Sequence, residues 1–232
     1  MDNAGKMSDG GSDNTGHRER LRDRLFADAD GLLDHELVEY LLALAIPRRD
    51  TKPLAKALLK EFGGIAGLLT APPEAIAQVK GMGDTSVAAI KIAHAAALRL
   101  LRAEVAAKPV LANWQALLDY LRADMAHHGN ERVRVLHLNT RNMLIRDELM
   151  SEGSIDEAPV YVREVIRRAM ELKSAAIILV HNHPSGDPSP SRADIDLTRS
   201  VVEAGKKLGI AVHDHIIVGT KGFTSLRGQG HL

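Results

Sequence analysis

The sequence predicts an α/β domain, with a mixed sheet covered by helices on both sides, behind a small all-helical N-terminal domain. Strand and helix patterns alternate through the second half, the order expected when helices pack on a sheet. Within that half, Ala176 to Val180 is an unbroken apolar run, typical of a strand buried on both faces. The first third instead repeats apolar residues every three or four positions, as amphipathic helices do. We predict a disordered tail over 1–20, a helical domain over 21–108 and the α/β domain over 109–232.

Composition restricts the possible chemistry. The 232 residues include 45% hydrophobic but only 3% aromatic residues, so the core must be built from aliphatic side chains. The formal net charge is zero, which argues against attraction of nucleic acid to the whole surface and leaves room for a local patch. There is no cysteine, which is compatible with the cytoplasm, where we expect the protein. Any zinc site must therefore use His, Asp or Glu. We expect no membrane partner, because no apolar run approaches the length that spans a bilayer.

In the helical domain, periodic segments are separated by Pro and Gly breaks. The predicted helices cover about 32–44, 54–62, 65–69 and 73–79, followed by a longer one up to Val105. The segment Val79 to Lys91 resembles a helix-hairpin-helix. In that family, glycines such as Gly81 and Gly83 let backbone amides approach a DNA phosphate, which gives affinity without reading sequence. The alternative is a purely structural turn, because Asp84 would cap the second helix but repel a phosphate.

The α/β domain is predicted to begin with a helix, Trp114 to His127, capped by Asn113. Two strands, Glu131 to Leu138 and Met143 to Leu149, then form a hairpin, followed by a loop at Ser151 to Ser154. The remaining predicted elements are a helix over about 160–172, the buried strand from Ala176, a helix from Ser191 to Leu208, a strand over 210–218 and a short strand over 223–226.

The segment after the buried strand carries the strongest chemical signal. His181 and His183 are two positions apart, so both imidazoles leave the end of the strand on the same side. A turn rich in Pro and Gly follows, and Ser191 opens the next helix with Asp194 in its first turn. Two histidines and a carboxylate make three ligands of a catalytic zinc site, with a fourth position for water. The alternative is that Ser191 and Asp194 form only a helix capping box, and the two roles are compatible.

Other polar residues are weaker candidates. Asp187 could replace Asp194 as a ligand, but its position in the turn favours hydrogen bonds to its own backbone. His213 and His215 are expected to share one face of a strand and could be mistaken for a second metal pair. We favour structural roles for both.

The string His181-Asn182-His183, seven further residues, and Ser191-Arg192-Ala193-Asp194 matches the JAMM motif of the JAB/MPN metalloproteases. The longer string HNHPSGDPSPS and the segment Asp214 to Val218 resemble the RadC family. This resemblance implies the JAB/MPN fold, which has three layers like cytidine deaminases, and Zn²⁺ held by the two histidines and Asp194. It also implies that the Ser191 hydroxyl hydrogen-bonds the attacking water or the developing oxyanion.

A zinc peptidase also needs a general base that does not bind the metal. The residue pattern leaves five candidates open: Glu131, Glu148, Glu152, Glu157 and Glu164. In the JAB/MPN family the acid lies where the first helix gives way to the first strand, and the resemblance therefore implies Glu131.

We therefore expect a zinc-dependent metallohydrolase that cleaves a peptide or isopeptide bond in a peptide or protein substrate. The competing hypothesis is a DNA-associated repair or recombination factor that binds DNA through the helix-hairpin-helix-like region. A zinc nucleoside deaminase is disfavoured, because the chain lacks the cysteine ligands of that class.

Overall fold

The computed structural model describes residues 11–153 and 160–232. Its contacts divide the chain into two compact units, 1–95 and 96–232. The sequence places this boundary later, at 108/109. The difference arises because helix α6 (Asp84–Ala107) continues past the boundary, and Leu101 and Val105 near its end pack into the core of the second unit. None of the helices in the described ranges combines the length and apolar character needed to cross a bilayer.

The first unit is all-helical, as predicted. Its core is made from fully buried aliphatic side chains such as Leu42, Leu58, Ile76 and Ile90. The helices that supply this core and surround it are α1 (Gly11–Ala27), α2 (Asp34–Ala45), α3 (Lys52–Glu61), α4 (Ile65–Thr70), α5 (Pro73–Ala77) and the start of α6.

Helix α1 occupies residues that the composition assigns to a tail. Its sequence is highly charged and lacks the apolar periodicity that predicts an amphipathic helix. Among its described side chains, Leu21 is the one fully buried aliphatic residue. Polar contacts also hold it: His17 Nε2 lies 2.8 Å from Glu39 Oε1, and Arg18 donates to the Ile46 carbonyl. The rest of the predicted tail, residues 1–10, lies outside the described part of the chain.

The second unit contains one five-stranded mixed sheet in the order β2-β1-β3-β4-β5. Strand β3 is central, antiparallel to β1 and parallel to β4, and each of its residues is buried. The strands are β1 (Glu131–Leu138), β2 (Leu144–Gly153), β3 (Ala176–Asn182), β4 (Ala211–Gly219) and β5 (Gly222–Ser225), and the helices are α7 (Trp114–Met125), α8 (Val162–Glu171) and α9 (Arg192–Lys207), with a 3-10 turn at Val110–Ala112.

Helices cover both faces of this sheet, which confirms the predicted α/β architecture. Alternate residues of β3 point to opposite faces. Ile178 and Val180 pack in one cluster with α7, while Ile177 and Leu179 pack in another with α8 and α9. Helix α9 is the crossover that a parallel β3–β4 pair requires, so its N-terminus lies beside the carboxyl end of β3.

Two local expectations differ from the structure. Strand β2 continues to Gly153, where we predicted a loop from Ser151, because it pairs with the whole length of β1 up to Glu131. The Asn113 side chain makes no capping hydrogen bond to α7; its amide instead donates to the Glu104 carbonyl at 3.2 Å.

Candidate metal centre

Four side chains converge where β3 ends and α9 begins. Glu131, His181, His183 and Asp194 each present one potential ligand atom, and these atoms all lie within 4.8 Å of one another. Strand register explains the meeting: Val133 of β1 pairs with His181, so the first residues of β1 lie beside the last residues of β3. The predicted ligand set and the predicted base are therefore neighbours in space.

The separations within the cluster are short. His181 Nε2 lies 2.9 Å from His183 Nε2 and 3.2 Å from Asp194 Oδ1. His183 Nε2 lies 3.6 Å from Asp194 Oδ2, and Glu131 Oε1 is 3.9 Å from His181 Nε2. His181 and Asp194 are almost fully buried, whereas the side chains of His183 and Glu131 are 17% and 15% exposed. The open side of the cluster therefore lies toward His183 and Glu131.

The chemistry of these donors fits a cation. His183 Nδ1 lies 2.8 Å from the Asp187 carbonyl, which only accepts hydrogen bonds, so Nδ1 carries a proton. In the neutral ring, Nε2 then presents a lone pair toward the second imidazole and the carboxylate of Asp194. Electron-rich atoms packed this closely need a positive charge among them, and a metal ion held by two imidazoles and a carboxylate could supply it.

The electrostatics agree with this conclusion. Burial opposes ionisation of Asp194, but the close contacts of its carboxylate with the rings of His181 and His183 hold the pKa of Asp194 well below its ordinary value. The contact with Asp194 in turn raises the pKa of His183, which shows that the carboxylate favours positive charge at this ring. Burial raises the pKa of Glu131 above that of a solvated glutamate. The site thus attracts positive charge to Asp194 and makes Glu131 a better proton acceptor than a surface carboxylate.

Ser191 and Asp194 form the capping box predicted from their spacing. Asp194 N donates to Ser191 Oγ at 3.2 Å, and Ser191 N donates to Asp194 Oδ2 at 2.7 Å. The Ser191 hydroxyl also donates to Asp194 Oδ2, at 2.6 Å. Capping leaves Oδ1 available as a ligand atom, because the capping hydrogen bonds use Oδ2 while Oδ1 faces His181. In this structure Ser191 orients the carboxylate of Asp194.

The turn between the ligands holds His183 in place. Asp187 Oδ1 accepts hydrogen bonds from Ser189 N at 3.0 Å and Ser189 Oγ at 2.8 Å, the local role that we favoured for this side chain. Its carbonyl meanwhile receives the Nδ1–H of His183. Asp187 lies outside the four-residue cluster and supports the candidate ligand His183 through its backbone carbonyl.

The other acidic candidates are held by arginines. Arg168 Nη2 lies 2.7 Å from Glu148, Arg132 Nη2 lies 2.6 Å from Glu152, and Arg167 Nε lies 2.9 Å from Glu164. Glu157 falls outside the described residues. Among the described candidates for the base, Glu131 is the one that joins the cluster.

Asn182, which our sequence reasoning missed, lies between the two histidines and faces the other way. Its Oδ1 accepts from Arg132 N at 2.8 Å, and its amide donates to the carbonyls of His128 and Asn130, at 3.3 and 3.1 Å. The bonded groups lie on both sides of Glu131. The available signal was an amide side chain between two predicted ligands at the end of a strand predicted to be buried, because a buried polar group must be hydrogen-bonded.

His213 and His215 do not form a pair, contrary to the expectation that they share one face. Ile177 pairs with Val212 and Ile178 with Asp214, so His213 is an extra residue in a β-bulge. His213 donates from Nε2 to Asn142 Oδ1 at 2.7 Å. His215 instead contacts the candidate ligand His181, with 2.8 Å between His215 Nε2 and His181 Nδ1.

The two glycines of the helix-hairpin-helix-like segment lie just before α6. Gly81 has a φ of 104°, a conformation that favours glycine, and the guanidinium of Arg49 lies beside it. The backbone N–H of Gly83 is bonded to Ser86 Oγ at 2.9 Å. Of the two amides predicted to face a phosphate, the Gly83 amide is therefore already occupied by Ser86.

Comparison with known families agrees with the fold. The model of the RadC-like JAB domain matches residues 111–231, which is more than half of the chain. The matched range contains all five strands and all four members of the metal cluster. The chain therefore belongs to the RadC-like JAB domain family.

Proposed function

We propose that this chain is a zinc-dependent metallohydrolase of the JAB/MPN type that hydrolyses a peptide or isopeptide bond. The observation that supports it best is the convergence of two imidazoles and one carboxylate beside a second carboxylate, that of Glu131. This arrangement supplies three ligands and a separate proton acceptor, the two components that hydrolysis by an activated water requires.

His181, His183 and Asp194 would hold the metal. When bound, zinc lowers the pKa of a water ligand and polarises the carbonyl oxygen of the substrate. The burial of His181 and Asp194 keeps bulk water away from one side of the site, while the partial exposure of His183 and Glu131 gives the substrate an approach.

Glu131 would act as the general base and then as the general acid. Its carboxylate accepts a proton from the attacking water, whose oxygen adds to the carbonyl carbon. As the C–N bond breaks, Glu131 returns that proton to the leaving amine. Its raised pKa suits both steps, because proton transfer is most effective when the pKa of the base approaches the operating pH.

Ser191 has two proposed roles. It orients Asp194 through the 2.6 Å hydrogen bond from its hydroxyl to Oδ2. Donation to the attacking water or to the developing oxyanion, implied by the resemblance, would require the hydroxyl to turn away from Oδ2. A hydroxyl rotates about a single bond, so the two roles can alternate during one reaction cycle.

The test combines metal analysis with an unbiased peptide and isopeptide cleavage screen of the full chain. We expect about one zinc per chain in the wild type, E131Q and E164Q, little in H183A, and cleavage by the wild type and E164Q but not by E131Q or H183A. E164Q is the matched control, because Glu164 lies on α8 in an exposed pair with Arg167. Normal cleavage by E131Q would overturn the assignment of the base, and a metal-free wild type would overturn the proposal.

A second candidate function is binding of DNA by the first unit. The observation that favours it is the position of Arg49, whose guanidinium lies against Gly81. A Cβ atom at Gly81 would be only 3.0 Å from Arg49 Nη2. Arg18 donates to the carbonyls of Ile46 and Arg49, at 3.2 and 2.5 Å, so a second guanidinium lies beside the backbone of Arg49. The cation of Arg49 beside the hairpin would offset part of the repulsion between Asp84 and a phosphate. Lys91, by contrast, donates to the carbonyls of Leu69 and Ala71.

Titration of the full chain with duplex DNA at several salt concentrations tests this function. Binding should weaken steeply as salt rises, and R49Q should bind more weakly than the wild type with a shallower salt dependence. R163Q is the charge-matched control, because Arg163 is exposed on α8 of the second unit. Salt-insensitive binding, or equal losses in R49Q and R163Q, would count against this role.

A further inference from the structure

We propose that Thr198 and His215 are positioning residues that set the tautomer of His181, so that its Nε2 presents a lone pair to the metal. The inference rests on the metal site of the proposed function. It concerns how the site is prepared for a metal, whatever bond the protein cleaves.

A continuous series of hydrogen bonds connects Asp194 to His181 on the side away from the proposed metal. Thr198 Oγ1 lies 2.5 Å from the Asp194 carbonyl and 2.5 Å from His215 Nδ1. His215 Nε2 then lies 2.8 Å from His181 Nδ1. Thr198 and His215 are both fully buried, and His181 is only 2% exposed. Bulk water therefore does not compete for these contacts.

The Asp194 carbonyl fixes which atom donates in each hydrogen bond of this series. A carbonyl oxygen accepts and never donates, so the single hydroxyl proton of Thr198 points to Asp194 O. Toward His215, Thr198 Oγ1 can then act only as an acceptor. His215 must supply the proton of that contact, which places a hydrogen on Nδ1.

The same reasoning carries the direction on to His181. The two ring nitrogens of His215 contact Thr198 and His181. Neither partner is a carboxylate that would stabilise a positive charge on the His215 ring. A charged imidazole in this fully buried position would be costly, so His215 is neutral and its Nε2 is an acceptor. His181 therefore donates from Nδ1, and its Nε2 lone pair faces His183, Asp194 and Glu131.

The secondary structure positions the residues of this hydrogen-bond series. Thr198 follows Asp194 by one turn of α9, so its hydroxyl reaches the Asp194 carbonyl. His215 lies on β4, which pairs with β3, the strand that carries His181. Ligand histidines usually donate their second N–H to a carboxylate, carbonyl or water, and such partners affect metal affinity. Here the neutral imidazole of His215 accepts the N–H of His181. His215 can accept only in one tautomer, and the hydrogen bond with Thr198 fixes that tautomer.

Replacement of Thr198 tests the proposal without touching a ligand. In T198V the acceptor for His215 Nδ1–H is lost, and His215 can turn to the tautomer that donates to His181. We expect the affinity for Zn²⁺, measured by competition with a chromophoric chelator, to fall by about 10- to 100-fold in T198V. T198S is the matched control that keeps the hydroxyl, and its affinity should stay within about twofold of the wild type. Wild-type affinity in T198V would overturn the proposal.

Nitrogen-15 NMR of the imidazole rings in the wild-type full chain is the second measurement, and it requires no variant to fold. We expect a proton on Nδ1 of both His181 and His215, with and without Zn²⁺. An unprotonated His181 Nδ1 would overturn the proposal. Neither measurement depends on cleavage, so a chain that binds zinc but hydrolyses nothing would contradict the proposed function and leave this inference standing.

Discussion

Asn182 Oδ1 accepts a hydrogen bond from the backbone N–H of Arg132 at 2.8 Å, which joins the metal-binding end of β3 to the residue after Glu131. The Asn182 amide also donates to the carbonyls of His128 and Asn130. One side chain between the two proposed ligand histidines thus holds the backbone on both sides of the proposed general base.

This relationship predicts that N182A loses cleavage while keeping its metal. The ligands stay in place, but the segment around Glu131 loses three hydrogen bonds, and a misplaced base slows proton transfer. Unfolding should also become easier by about 1–3 kcal/mol, because buried backbone groups are left unpaired. Turnover, zinc content and urea denaturation measure the three effects. Wild-type turnover in N182A would show that Glu131 does not depend on this contact.

His137 predicts a loss of stability in acid. Burial lowers the pKa of His137 to about 4, below the ordinary value of 6.5 that it regains on unfolding. The unfolded chain therefore binds this proton first as pH falls, so stability present above pH 6.5 declines toward pH 4. In H137Q, which does not titrate, the free energy of unfolding should depend less steeply on pH across this window. Urea denaturation at several pH values measures the slope, and an unchanged slope in H137Q would contradict the prediction.

A buried ion pair on β1 and β2 predicts unequal effects of single and double substitution. Arg134 Nε lies 2.7 Å from Asp147 Oδ1, whose side chain is fully buried, and Tyr120 donates to Asp147 Oδ2 at 2.5 Å. R134M leaves the carboxylate of Asp147 without its cation, which should cost about 3–5 kcal/mol of unfolding free energy. R134M/D147L should be less destabilised than R134M, because it removes the uncompensated charge. A double variant that is less stable than R134M would contradict this account.

Metal removal should lower thermal stability. A ligand that binds only the folded state stabilises it by about 2.7 kcal/mol when its concentration is 100 times Kd. Adding EDTA should therefore lower the melting temperature of the wild type. The D194A variant lacks one ligand, so its melting temperature should hardly respond to the chelator. Equal shifts in both proteins would place the stabilising metal elsewhere.

The local geometry of the site could be predicted because it depends on short-range periodicity. A strand brings His181 and His183 to one side, and a helix start brings Asp194 next to Ser191. Both arrangements follow from backbone geometry within a few residues. The unbroken apolar run identified β3 as a buried strand for a similar reason, since a central strand covered on both faces has no polar side.

Assignment of the base needed more than local pattern. Five glutamates had comparable sequence contexts, and the family resemblance selected Glu131. The structure shows why Glu131 lies near the proposed ligands: the register between β1 and β3 brings Val133 opposite His181. Register depends on which strands become neighbours, and local periodicity does not contain that information.

The amino-acid sequence thus determined the order of helices and strands, the buried central strand and the choice of His181, His183 and Asp194 as candidate ligands, all through interactions between residues close along the chain. The tertiary structure decided where polar side chains on different elements meet. His215 reaches His181 from 34 residues away, and Asn182 reaches Arg132 from 50. The bulge at His213 also arises only when β4 pairs with β3, and it separates His213 from His215. Such contacts depend on the packing of whole strands, so only the folded sheet reveals them.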